Sequence, residues 1–338
     1  MHKRITAAVL SAFALGSTAM AAEPNAEELR ALANNLFKPI PAADVIIKEK
    51  GLTPEQIELG QWLWFEPRLS RSHIITCNTC HSVGTGGADN IPTSVGHGWQ
   101  HGPRNSPTVL NAVFNIAQFW DGRAATQAEQ FAGPLHSPVE MASSWAQALE
   151  RLSAVAEYRD AFARIYPDGI TEASITDAIV SFERRLITPD APFDRYLRGE
   201  QDAMAPDAIE GYARFKDYGC ASCHQGAGIG GNMFQRFGIM GDYFADRGNI
   251  NAVDHGRYNV TGREEDRHVF KVPSLRNVAL TPPYFHDGSI ATLDEAVRVM
   301  GRYQLGREIS GEDRRLIVAF LGALTGEMPR QSSSTAAR

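Results

Sequence analysis

The 338-residue chain is predicted to be mainly α-helical and to fold as two small domains of the same kind. Three features predict this. A five-residue pattern occurs twice, as Cys77-Asn78-Thr79-Cys80-His81 and as Cys220-Ala221-Ser222-Cys223-His224, and together the two copies use all four cysteines. A helix-forming stretch leads into each copy. Elsewhere, apolar residues recur at helical spacing.

The pattern has a geometric reason. Two cysteines separated by two residues can both reach the vinyl groups on one edge of a porphyrin and form thioethers. The histidine that follows then reaches the iron as an axial ligand. Cys77, Cys80 and His81 would hold one haem c; Cys220, Cys223 and His224 would hold a second. Zinc ribbons place their CxxC pairs about 15–20 residues apart, whereas roughly 140 residues separate these pairs. A redox dithiol needs a thioredoxin-like strand-turn-helix context, which neither pair has. A structural disulfide needs no histidine at that offset. The expected fold is therefore two cytochrome c-like domains, each built around one covalently bound haem.

Taken in order, residues 1–21 read as a secretory signal. His2, Lys3 and Arg4 are followed by an apolar run from Ile5 to Leu15 and by the small-x-small site Ala19-Met20-Ala21. The run is too short to span a bilayer, so a soluble, exported periplasmic chain without a membrane span is expected. The formal charge of −6 becomes about −8 once Lys3 and Arg4 are removed, which argues against nucleic acid as a partner. The first domain is expected over 22–189. A short helix covers Ala26 to Leu36. Thr53, Pro54 and Gln56 then form a capping box for a helix that buries Ile57, Gln61, Trp64 and Phe65 and ends at Pro67. Pro54-Glu55-Gln56-Ile57-Glu58-Leu59-Gly60 followed by Phe65 compares with Pro206-Asp207-Ala208-Ile209-Glu210-Gly211 followed by Phe215, a weak internal repeat. Residues 82–119 read as loops. Ser144 and Thr171 begin two further helices, the second with Ile175, Ile179, Phe182 and Leu186 on its core face. Thr188-Pro189-Asp190-Ala191-Pro192 reads as a linker into a second domain, 190–330. There, 225–270 is expected to be a long loop, Thr292 and Glu295 form a capping box, and Ser310 starts a last helix carrying Ile317, Phe320, Leu321 and Leu324. The tail 331–338 is expected to be disordered.

The remaining axial position on each iron decides between a carrier and an enzyme. Candidates at the second haem are Met233, Met240, Met300 and His286. Met300 is favoured because it lies on a capped helix far along the chain from the CxxCH motif, whereas Met233 is almost adjacent to it. Candidates at the first haem are His73, His97 and His101. His97 lies between two glycines, in a loop that could place it or withdraw it. A His/His site has a low potential and a His/Met site a high one.

From Thr53 to Arg330 the chain resembles the bacterial diheme cytochrome c peroxidases. Phe65-Glu66-Pro67-Arg68-Leu69-Ser70, Val95-Gly96-His97-Gly98-Trp99-Gln100, Gly102-Pro103-Arg104-Asn105-Ser106-Pro107-Thr108, Gln118-Phe119-Trp120-Asp121-Gly122-Arg123, Leu280-Thr281-Pro282-Pro283-Tyr284-Phe285-His286 and Val299-Met300-Gly301 carry the likeness. The resemblance implies a low-potential, peroxidatic first haem with His81 proximal and His97 as a displaceable distal ligand. It implies a high-potential second haem held by His224 and Met300. Trp120 would assist electron transfer between them. Glu140 would be the acid/base beside the bound peroxide, with Gln130 next to it. A calcium ion would bind at the domain interface near Asn105, Thr281 and Pro283, whose positions suit oxygen ligands. The substrate would be hydrogen peroxide and the donor a small cytochrome c or cupredoxin; a homodimer is implied by the resemblance alone. Segment 232–268 matches the family least well. Two other readings are an oxidase that matures a quinone cofactor in a protein substrate, against which Met300 and His97 speak, and a diheme electron carrier, which would need no acid/base group.

Overall fold

The computed structural model describes residues 26–329; the expected leader and the tail lie outside the described residues. The chain is mainly helical and forms two cytochrome c-like units, each with its own apolar core. In order, the helices are α1 (Ala26–Leu36), α2 (Ala43–Glu49), α3 (Pro54–Trp64), α4 (Cys77–Cys80), α5 (Gln127–His136), α6 (Trp145–Ser153), α7 (Ala156–Ile165), α8 (Glu172–Arg185), α9 (Pro192–Leu197), α10 (Pro206–Asp217), α11 (Tyr243–Arg247), α12 (Tyr258–Thr261), α13 (Leu293–Val299) and α14 (Gly311–Gly322). A two-stranded antiparallel ribbon pairs β1 (Phe234–Arg236) with β2 (Val269–Lys271). Among the described residues, no helix is long and apolar enough to cross a membrane.

The first core is organised by α3 crossing α8. Thr53 caps α3: its hydroxyl accepts from the Gln56 N–H, and the Gln56 side chain accepts from the Thr53 N–H at 3.0 Å. Thr171 caps α8 in the same reciprocal way with Ser174. Ile57, Leu63, Trp64, Ile175, Ile179 and Phe182 are all buried between these and the neighbouring helices. The crossing is close because Gly60 has no Cβ. A methyl there would lie 2.7 Å from the Ala178 carbonyl carbon and 2.8 Å from Phe182 Cβ. The second core repeats the device with α10 crossing α14. A Cβ on Gly211 would lie 2.6 Å from the Leu316 carbonyl carbon and 3.0 Å from Phe320 Cβ. The two glycines therefore set the register of the repeat, and four residues on they align Trp64 with Phe215. Phe65, expected on the buried face and paired with Phe215, is instead 37% exposed. The extra residue between Pro54 and Gly60 shifts the match by one.

Several other boundaries differ from expectation. A boundary at 189 assigns α1 to the first unit, but Leu29, Ala33 and Phe37 pack in the second core, with the Phe37 ring 5.4 Å from Phe193. Residues 188–192 are no slack linker: Thr188 is fully buried and Pro192 opens α9. Thr292 does cap α13, but Glu295 pairs with Arg298 at 2.7 Å and leaves the box half-made. The stretch 225–270 carries β1, α11, α12 and β2.

The structure brings out a second repeat. Pro107-Thr108-Val109-Leu110-Asn111 and Pro273-Ser274-Leu275-Arg276-Asn277 each end on an asparagine with left-handed backbone, φ 62° and 59°, a conformation asparagine tolerates better than most residues. Each asparagine starts a short 3-10 turn, and each then leads to a Phe-x-Asp-Gly sequence, Phe119-Trp120-Asp121-Gly122 and Phe285-His286-Asp287-Gly288. The two asparagines meet at Thr188, whose hydroxyl oxygen accepts from Asn111 Nδ2 at 2.8 Å and from Asn277 Nδ2 at 2.9 Å.

Candidate active site

Among the described residues, two cavities reach the Cys-x-x-Cys-His motifs, one per unit. The first, of about 500 Å³, is lined by Trp64, Cys77, Cys80, His81, Gln130, Glu140, Glu183 and, from the other unit, Ala252 to Val253 and Asn259 to Val260. The second, of about 260 Å³, is lined by Phe215, Cys220, Cys223, His224, Lys271, His286 and Met300 among others. Trp120 and Asn105 line both. Trp120 is fixed there: its indole N–H donates to the Asn105 carbonyl at 2.9 Å, and its ring meets His286 edge-on at 6.4 Å.

The local folds explain how each Cys-x-x-Cys-His reaches its cavity. The single turn α4 puts Cys77 and Cys80 on the same side, and a 3-10 turn does so for Cys220 to Ser222. The histidines are oriented by backbone carbonyls. His81 Nδ1 lies 3.0 Å from the Pro107 oxygen, and His224 Nδ1 lies 3.3 Å from that of Ile229. A donated Nδ1–H leaves Nε2 with its lone pair, the arrangement typical of a metal-ligating histidine. Burial lowers the pKa of both imidazoles, that of His224 to about 4, and so keeps them neutral.

The residues fit a covalently held haem. All four cysteines are free. Burial pushes the Cys77 thiol up, Cys80 to about 11 and Cys220 to about 12, which does not suit a redox dithiol. Trp64 Nε1 and Arg104 Nε are buried at the first cavity with no hydrogen-bond partner among the described residues, so the cavity wall offers donors to an acidic, largely apolar guest.

Glu140 and Gln130 face the first cavity together with His81. Burial raises the Glu140 pKa, and Arg123 partly offsets this. Asp121, beside them, is pulled the other way. Burial opposes its ionisation, but Arg104 at 2.6 Å and Arg123 at 3.1 Å hold it below the usual carboxylate range.

His97 is not among the residues lining either cavity. It lies in a 3-10 turn of the 94–102 loop, which is stitched by bonds from Gly96 N–H to Gln100 O and from Gly102 N–H to Ser94 O, both 2.8 Å. Its own N–H donates to the Glu140 carbonyl at 2.7 Å, and its Nδ1 is buried without a partner among the described residues. The loop lies flat on the Glu140 segment because residue 96 is glycine: a Cβ there would come within 2.7 Å of Glu140 Cα. His73 and His101 also lie outside both linings; His101 Nδ1 is 3.2 Å from Thr93 Oγ1. At the second cavity Met300 lines the wall, at the start of the π-turn that follows α13. Met233 is not in that wall, and Met240 is 62% exposed. His286 faces the cavity, but its Nε2 is committed to the buried Asp254 carboxylate at 2.7 Å.

Asn105, Thr281 and Pro283 all line the second cavity. The Asn105 side-chain oxygen and the Thr281 and Pro283 carbonyl oxygens accept no hydrogen bond among the described residues. Uncommitted oxygens of this kind fit a hard cation such as calcium.

Sequence reasoning missed Glu183 and Lys271, both buried in cavity walls, and the Asp254–His286–Arg247 cluster behind Trp120. The Phe-x-Asp-Gly repeat was a signal for the last, since it pairs Trp120 with His286.

A family model for di-haem cytochrome c peroxidase matches residues 54–202. The cytochrome c551 peroxidase of Pseudomonas aeruginosa is 47% identical over 308 residues, covering 90% of this chain and 88% of that protein. The cytochrome c551 peroxidase of Nitrosomonas europaea is 49% identical over 284 residues, covering 83% and 84%. The crystal structure of a MauG-like protein associated with microbial copper homeostasis superposes with a TM-score of 0.76 at 27% identity, covering 88% of this chain and 95% of that one.

Proposed function

The chain belongs to the di-haem cytochrome c peroxidase family, an oxidoreductase family with two haem c groups, and from that premise we propose that it reduces hydrogen peroxide to water in the periplasm. The electrons come singly from a small soluble cytochrome c or cupredoxin. His81, with His97, would hold the iron of the first haem, and His224, with Met300, that of the second. The domains divide near 189, apart from α1. The haems, when bound, supply the redox-active irons.

The observation that carries the reading is the shared wall. Trp120 lines both cavities, while Glu140 and Gln130 open only into the first. That gives one pocket with acid/base groups, one with a thioether side chain, and an aromatic ring between them. In the first pocket Glu140 takes the proton from the near peroxide oxygen and returns it to the far one, which leaves as water as the O–O bond breaks; two electrons from the donor and two protons from solvent then make the near oxygen the second water. Its raised pKa brings it closer to neutrality, where it can both accept and release that proton. Gln130 orients the peroxide through its amide. His97 lies outside the first cavity's wall, on a glycine-flanked loop, so it would reach a bound haem only by movement of that loop, and withdrawal of the loop would leave the pocket open to substrate. In the second pocket Met300 presents a soft sulfur that favours the reduced metal. Asn105 ties Trp120 to the calcium site, so that cation would stiffen the bridge between the pockets.

The test is steady-state peroxide turnover with a reduced cytochrome donor, alongside absorbance and EPR spectra of the half-reduced protein. Turnover and a first haem that loses a strong-field ligand on half-reduction are expected. A protein with two haems that passes electrons but leaves peroxide untouched would be a carrier instead.

A further inference from the structure

The two cavities differ in charge. The first is lined by the carboxylates Asp121, Glu140 and Glu183 against the guanidinium groups of Arg104 and Arg123. The second is lined by Lys271 and Arg236 and by no carboxylate. Within each wall, one charge-bearing group is buried without a counter-ion. Glu183, on α8, is 8% exposed and takes a hydrogen bond from Gln127 Nε2 at 2.9 Å, but forms no ion pair among the described residues. Lys271, on β2, is 7% exposed. Its N–H donates to the Trp120 carbonyl at 2.8 Å, while its ammonium has neither ion pair nor hydrogen bond among the described residues. Asp121, by contrast, is neutralised by two arginines. Each cavity wall therefore carries one buried charge-bearing group, of opposite sign in the two, whose field no ion-pair partner among the described residues cancels.

We propose that Glu183 and Lys271 set the two haem sites apart in reduction potential, the carboxyl disfavouring an added electron at the first and the ammonium favouring it at the second. The first electron from the donor then settles on the Met300 side. This rests on the peroxidase reading above but concerns neither peroxide nor its proton. The direction follows from Coulomb interaction across a low-dielectric interior, where screening is weak.

The carboxyl acts only when ionised, which makes the effect depend on pH. Burial raises Glu183 to about 7, against the pull of the Gln127 bond and of Arg184 on its own helix. The groups facing it are the uncharged Gln127 from α5, Cys77 from α4 and Trp64 from α3, with Glu140, Asp121, Arg104 and Arg123 elsewhere in the same wall. As pH rises through neutrality the carboxylate forms, and the first potential falls. Lys271, lowered by burial to about 8, keeps its charge at neutral pH and loses it above.

The experiment is spectroelectrochemical titration of the holoprotein over a range of pH, with haem content measured in parallel. In the wild type, the first potential is expected to fall across about pH 6–8. Glu183→Gln, which keeps the shape and the Gln127 contact, raises that potential and flattens the slope. Lys271→Met lowers the second potential, and Lys271→Arg restores it. A wild-type first potential that is flat through neutrality, or two-haem variants with unmoved potentials, overturns the inference while leaving the peroxidase reading standing. Wild-type protein without two haem c groups overturns both.

Discussion

Gly60→Ala puts one methyl into the α3–α8 crossing. Its carbon would lie 2.7 Å from the Ala178 carbonyl carbon and 2.8 Å from Phe182 Cβ, where ordinary contact begins at 3.4 Å. The obstacle is backbone, so side-chain rotation cannot relieve it, and the helices must part by roughly 1 Å in an interior packed like a crystal. Overpacking of this kind costs about 1–3 kcal/mol, here toward the upper end. Alanine returns about 1 kcal/mol through its better helix propensity. The net is a loss of about 2 kcal/mol, or a fall of about 4–8 °C in melting temperature for a domain of this size. Gly322→Ala is the matched control: it lies at the end of α14, and a methyl group there would meet nothing within 4 Å. That variant gains a few tenths of a kcal/mol, roughly, from propensity alone. The assay is thermal unfolding of the haem-loaded protein followed by far-UV circular dichroism and by Soret absorbance. Gly60→Ala is expected to disturb the first haem's band earlier than the second's, because Trp64, one turn on, lines that cavity with its ring 6.4 Å from His81. If Gly60→Ala melts with or above Gly322→Ala, the close-crossing account of this core is wrong.

Further tests concern the chemistry. Glu140→Gln is expected to lower peroxide turnover by about 10²–10⁴-fold with unchanged haem content. If Glu140 acts first as a base, wild-type turnover rises with pH through a value above the ordinary carboxyl range, and stopped-flow rates of the variant lose that limb. Met300→Leu conserves volume, so it should cost less than about 1.5 kcal/mol by denaturant titration, yet lower the second haem's potential and abolish its sulfur-to-iron charge-transfer band. Asp254→Asn removes the carboxylate from His286 at 2.7 Å and from Arg247 at 2.6 Å, although Arg247 keeps Asp287 at 2.6 Å, and should destabilise by about 1–3 kcal/mol. Burial opposes Asp254 ionisation, but the bonds from His286 and Arg247 hold its pKa far below the usual range. Its stabilisation is therefore complete at neutral pH and lost only as strongly acidic pH is approached, so the stability gap between wild type and variant should be constant from about pH 5 to 8.

Much of the fold could be read from local signals. Thr53, Thr171 and Ser310 cap helices as their side chains imply, because capping is decided within four residues of chain. What could not be read depends on contacts across the molecule. Phe65 has the composition of a core residue, but Gly60 decides which face of α3 meets α8. The first helix carries an amphipathic pattern that says it packs, not which core receives it. At the candidate site, the cysteines and histidines announce themselves by spacing. Glu183 and Lys271 do not, since a lone acid or base in a helix or strand reads as a solvated charge until its burial is known. His286 is the converse case. As a residue type it could ligate a metal, and only the Asp254 carboxylate at its Nε2 shows where that nitrogen is spent.

The buried hydroxyl of Thr188 has a consequence for how such a molecule can change over generations. Asn111 and Asn277 both lean on it, and each closes a segment whose proline neighbours the histidine of a Cys-x-x-Cys-His motif, Pro107 beside His81 and Pro273 beside His224. A substitution at this one position would therefore be felt behind both centres at once. Divergence of one centre from the other has its freer course on the opposite faces, in the 94–102 loop and around Met300, where neither half answers to its twin.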